Sequence, residues 1–136
     1  MGPLSIFTFH GGVSLLFLRV ILGAILIAHG RSKLKDFKGT AAWMQSVGFK
    51  PGVLFAALAM VLEFFGGIAL VIGLFVQVVA FFAALQFLTI VFWKAGSGQH
   101  LVGGYELDLI ILGAAAALFF LGGGSYSIDR LFLGWV

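Results

Sequence analysis

Four long apolar stretches alternate with short polar ones along this chain, and each holds only one or two charged residues. A helix crossing a bilayer needs about 20 mostly apolar residues, with a range of roughly 17 to 25. The pattern predicts spans over 9–30, 53–76, 78–94 and 105–121. Only Gln77 separates the second from the third, so a very tight turn is expected there. The uninterrupted apolar run of the fourth, Leu109 to Leu121, is too short to cross at about 1.5 Å per residue. That helix must begin near Tyr105, which draws Glu106 and Asp108 to the membrane edge or just inside it.

The polar stretch from Arg31 to Gly52 has a pattern of its own. Thr40 is a candidate N-cap for a short helix from Ala41 to Val47, ended by Gly48. Phe37, Trp43, Met44, Val47 and Phe49 supply an apolar side flanked by lysines. Such a helix lies in the interface with its Trp in the headgroup belt, as an anchor or, alternatively, as a lid over a site. The expected fold is all-α: a single domain over 1–136, an integral membrane four-helix bundle with a short interfacial helix between the first and second transmembrane helices.

Composition agrees. The chain is 62% apolar and 10% charged, too few charges to cover a soluble domain of 136 residues. Its 20 glycines suit close helix packing in lipid. The net charge of +3 comes largely from one loop, which reads as a positive cytoplasmic segment and not as a nucleic-acid surface. With no cysteine there is no disulfide, thiolate metal site or CxxC redox chemistry. No basic n-region or small-x-small cleavage site marks a signal peptide, so the first helix is expected to stay in the mature protein. Arg31, Lys33, Lys35, Lys38, Lys50 and Lys94 fall on one side, against Arg130 on the other. The positive-inside rule then places loops 31–52 and 94–104 in the cytoplasm and both termini outside, in a multi-pass protein of the cell membrane.

An arginine at the centre of a membrane helix costs roughly 2.5 to 3.5 kcal/mol on insertion scales and so calls for a reason. Arg19 lies about 18 Å along its helix from Arg31, and Glu63 about 16 Å from Gly52. Similar depth and opposite sign predict an Arg19–Glu63 ion pair facing the bundle interior. Gln86, His29, Lys33, Glu106 and Asp108 fall toward the cytoplasmic half and extend this into a polar pocket. Leu18-Arg19 followed by Gly23, and Leu62-Glu63 followed by Gly67, place a small residue one turn beyond each charge. Plainer roles stand beside these. The ion pair can serve register alone, His29 can be a belt residue, and His10 and His100 can be loop residues. Glu106 and Asp108 can be acids at a helix N-terminus. No inward histidine pair suggests haem, and no metal site is expected.

Leu18-Arg19 with Gly23, then His29-Gly30-x-x-Lys33, Glu63-x-x-Gly66-Gly67, Gly103-Gly104-Tyr105-Glu106 and the closing run Gly122 to Asp129 together resemble the DoxX family of small four-helix membrane proteins. Gly123 stands where many members have proline, which should loosen that turn. The resemblance covers about Leu18 to Asp129 and implies a membrane subunit linked to thiosulfate oxidation and quinone, a partner of oxidoreductases in oxidative-stress complexes, or an assembly factor. Fold does not settle function.

The leading reading is a quinone-linked oxidoreductase subunit. Arg19, Glu63 and Glu106 are its candidate catalytic residues, and His29, Lys33, Gln86 and Asp108 its ligand-binding ones. Quinone would be the carrier, and a membrane or soluble partner subunit would supply the other half-reaction. The alternatives are a non-enzymatic assembly or interaction protein, with homo-oligomers possible, and a small-molecule or proton transporter. Four short unbroken helices speak against the last.

Overall fold

The computed structural model describes residues 11–134. Four long helices form the body: α1 (Gly11–Lys35), α3 (Gly52–Ile72), α4 (Val76–Gly96) and α5 (Glu106–Leu121). Two short ones accompany them, α2 (Phe37–Ser46) between the first two spans and α6 (Ile128–Phe132) after the last. A single wide turn over Leu101–Tyr105 leads into α5. With it, all four spans are long and apolar enough to cross a membrane. The fold is a four-span membrane bundle.

Small residues set how α1 and α3 meet. A Cβ on Gly23 would lie 2.6 Å from the carbonyl oxygen of Gly67, and one on Gly67 would lie 2.7 Å from that of Gly23. Further along, Gly30 abuts the backbone of Phe64, so the two helices run antiparallel with their backbones nearly touching. Leu22, Leu26, Leu70, Ala80, Phe87 and Ile111 are among the buried residues that fill the core. Phe17, Phe65, Phe92, Ile110 and Phe120 point outward, as lipid-facing residues do.

The Gly23–Gly67 contact leaves no room for a methyl group. Gly67→Ala is expected to destabilise the bundle by about 1–3 kcal/mol, the usual cost of overpacking. Gly113→Ala, where a Cβ would meet nothing within 4 Å, serves as the matched control. Thermal unfolding in detergent should show the first variant melting well below the second, and equal midpoints would refute this close approach.

Three expected boundaries move. The first helix continues through Lys35 instead of stopping near residue 30, because nothing from Arg31 to Lys35 breaks a helix. The turn between the second and third spans is Gly73–Phe75, not Gln77. Gly73 there takes φ +80°, a conformation glycine adopts without penalty. The apolar pattern hides the break, since Leu74 and Phe75 read as membrane residues. Gln77 lies inside α4, and its amide donates to the Phe119 carbonyl at 2.8 Å.

The interfacial helix starts a turn early. Asp36 is its N-cap, accepting from the Gly39 N–H at 3.0 Å, while the Thr40 hydroxyl bonds back to the Asp36 carbonyl as a mid-helix residue does. Its end matches expectation: Phe49 N–H bonds the Met44 carbonyl and Gly48 N–H that of Gln45, closing a Schellman turn. Gln45 then accepts from the Gly52 N–H at 2.7 Å, tying α2 to the first residue of α3.

A buried polar triad beside a groove

Gly30 places Lys33, one turn later on α1, beside the middle of α3. There Lys33 Nζ meets Glu63 Oε2 at 2.6 Å. From α4, Gln86 Nε2 donates to the other carboxylate oxygen of Glu63 at 2.5 Å. Glu63 is 1% exposed, so both its oxygens are satisfied from inside the protein, one by a cation and one by an amide. Lys33 keeps about a fifth of its side chain accessible and connects the triad toward the basic end of the bundle.

Gln86 has a second neighbour. A groove of about 720 Å³ runs between α3 and α4, walled by Phe49, Phe55, Leu58, Leu62, Phe82 and Gln86. Its Thr89 turns the hydroxyl back to the Leu85 carbonyl of its own helix, which leaves Gln86 as the side chain joining groove and triad. Leu58, Val61, Phe82 and Leu85 are exposed, so the groove opens sideways, toward where lipid lies. A second ion pair, Lys94 to Asp108 at 2.7 Å, ties α4 to the start of α5 at the same basic end. Trp43 of α2 packs edge-on against Trp93 of α4, with ring centres 5.6 Å apart.

Arg19 does not join Glu63. Its guanidinium donates to the carbonyls of Leu70 (3.1 Å), Val71 (2.8 Å) and Tyr126 (2.5 Å), at the opposite end of the bundle. The predicted pair fails because equal depth assumes that the first helix ends at Arg31 and that its end is level with Gly52. The first helix runs past Arg31, and the glycine contacts slide α1 along α3 until Glu63 faces Lys33. Lys33 is fourteen residues from Arg19 in one helix, about 21 Å along its axis. Arg19 therefore lies level with the last turn of α3. Its charge is met by two carbonyls of the last turn of α3 and by the Tyr126 carbonyl of the segment before α6.

Asp129 completes this second cluster from the closing motif. Its carboxylate accepts from the backbone N–H of Phe75 at 2.7 Å and of Val76 at 2.8 Å, capping the start of α4. Its own N–H donates to the Gly73 carbonyl at 3.0 Å. Ser127, fully buried, caps α6 by accepting from the Arg130 N–H. Arg19 and Asp129 thus hold the two helix ends that flank Gly73–Phe75, one by its carbonyls and the other by its N–H groups. The closing run stands out in the sequence, but nothing in it says which helix end Asp129 caps.

The other candidates lie apart from the triad. Glu106 is exposed and accepts from the Gly103 N–H at 3.1 Å, a local bond within the turn before α5. His29 shares a 2.8 Å bond between Nδ1 and the Ile25 carbonyl of its own helix. Asp108 is taken by Lys94, a residue counted in the sequence only for its charge. His100 is exposed, and His10 lies outside the described residues. Among the described residues, no three His, Asp or Glu side chains converge as metal ligands.

The family model described as DoxX matches residues 14–96. The protein named "Inner membrane protein YqjF" of Escherichia coli (strain K12) is 31% identical over 121 residues, which cover 88% of this chain and 92% of that protein. No solved structure matches.

Proposed function

This chain belongs to the DoxX family, and from that premise we propose that it is an inner-membrane subunit of a quinone-linked oxidoreductase, with the quinone headgroup held beside Gln86. One observation carries the reading: a Lys33–Glu63–Gln86 triad built on the buried Glu63 carboxylate borders an apolar groove that opens toward lipid. A lipid-soluble, ring-headed ligand enters such a site from the bilayer, needing apolar walls and a few polar groups for its carbonyls. The residues fit. Phe55, Leu58 and Phe82 supply walls for the ring and tail, and Gln86 still has one amide N–H beyond that given to Glu63.

Held by Gln86 and the apolar walls, a quinone would supply two-electron, two-proton carrier chemistry, with the electrons delivered by a partner oxidoreductase. The work of the chain is to bind, orient and hold a proton. Gln86 orients the headgroup, and its position is fixed by Glu63. Lys33 carries a proton at Nζ within hydrogen-bond reach of Glu63 and has access to the basic face. In this reading that face, with residues 31–52 and 94–104, is cytoplasmic and receives the partner. Arg19 and Asp129 serve the fold.

The test is mass spectrometry of small molecules retained by gently purified wild-type protein, Gln86→Leu and Glu63→Gln. Wild type should retain quinone. Folded Gln86→Leu should lose affinity by roughly tenfold, the worth of one hydrogen bond in a site that excludes water. Bulk lipid alone in every sample would sink the quinone reading and leave a role in assembly.

A further inference from the structure

The basic end of the bundle carries more positive charge than its own acids neutralise. Lys33 and Lys94 are paired with Glu63 and Asp108. Asp36 is engaged as the N-cap of α2, and Glu106 bonds the backbone of its own turn. Arg31, Lys35, Lys38 and Lys50 make no ion pair among the described residues, and all four are exposed. They cluster in sequence around α2, a helix lying across the end of the bundle.

Beside these charges is a second groove, of about 400 Å³, between α2 and the start of α3. Phe37, Ala41, Ala42 and Val53 give it an apolar lining, Lys38 stands in its wall, and Lys50 adjoins its Pro51. An apolar slot edged by unpaired lysines at the basic end of the bundle matches one kind of occupant, a molecule with a negative head and an apolar tail.

We propose that the groove between α2 and α3 is a binding site for an anionic phospholipid, with Lys38 and Lys50 at its phosphate and the Phe37–Ala42–Val53 lining against an acyl chain. The site is separate from the Gln86 groove and does not depend on the redox reading. A general attraction of basic loops for anionic membranes needs no groove. The assignment differs in predicting that shape matters as well as charge. Each lysine near an anionic surface contributes about fivefold in affinity, so the pair contributes roughly 25-fold.

The experiment is a lipid titration of full-length protein followed by native mass spectrometry, comparing phosphatidylglycerol with zwitterionic phosphatidylethanolamine of the same acyl chains. Wild type should prefer phosphatidylglycerol by about tenfold or more. Lys38→Gln combined with Lys50→Gln should bring that preference close to one, while Arg130→Gln, an exposed charge at the other end, should leave it unchanged. Ala42→Phe, which fills the groove from an exposed position and keeps every charge, should abolish the tightly held phosphatidylglycerol. Equal retention of both lipids by wild type would overturn the proposal and point to an acidic protein surface as the occupant. An unchanged preference in Ala42→Phe would also overturn it, reducing the effect to diffuse charge. A thermal midpoint within a few degrees of wild type for each variant establishes that the comparison is between folded proteins.

Discussion

Arg19→Ala should destabilise the protein by about 3–5 kcal/mol, since each buried carbonyl oxygen left without a donor costs about 1–3 kcal/mol. Arg19 is 1% exposed and donates to three carbonyls drawn from two parts of the chain, the end of α3 and the segment before α6. Without it the Val71 and Tyr126 oxygens lose this donor, and the turn at Gly73–Phe75 loses one of its two clamps. The loss should appear as a large fall in thermal midpoint in detergent, or as failure to accumulate folded protein. A charge swap sharpens the test. Combining Arg19→Glu with Glu63→Arg should give no rescue, because the two positions lie at opposite ends of the bundle and separated sites add. Recovery of stability in the double variant would mean that the two side chains meet after all.

The second large effect concerns Lys33. Removing it as Lys33→Ala leaves Glu63 buried with only the Gln86 amide for company. The expected cost is about 3 kcal/mol, at the low end for a broken buried pair because Lys33 is partly accessible and water can follow its loss. Neutralising both members as Lys33→Met with Glu63→Gln should recover most of that, since an amide facing Gln86 leaves no stranded charge. Denaturation of Lys33→Met, Glu63→Gln and the double variant gives the coupling directly. A double variant as unstable as the sum of the singles would show that the two residues do not interact.

These two predictions also mark how far the sequence could be read. Every charged group in a span was recognisable as costly, because lipid offers no solvation and each such residue needs a partner. The partner was a different matter. Equal depth points from Arg19 to Glu63, and the depth argument fails because it ends the first helix at Arg31 and sets the two helix ends level. The sequence groups Lys33 with the polar side chains of the cytoplasmic half as a ligand-binding candidate, whereas in the structure it is the counter-ion of Glu63. Asp129 was visible in the closing motif without a role, since a cap that reaches 53 residues back along the chain leaves no local trace.

By itself the sequence determined the class of protein. Four apolar runs of membrane length, scarce charge and one basic loop leave an α-helical bundle as the solution, because in lipid each backbone polar group must be satisfied within its own helix. It also marked the interfacial helix and the glycines on which α1 and α3 close. Only the tertiary structure decided the register between helices, and with it which charges meet. Register depends on where glycine backbones touch and how a turn folds, and here it sets Lys33 opposite Glu63 in place of Arg19, about 21 Å away along the same helix. The chain thus announced that it holds buried charges, and packing chose Lys33 and Gln86 for Glu63, and helix-end carbonyls for Arg19.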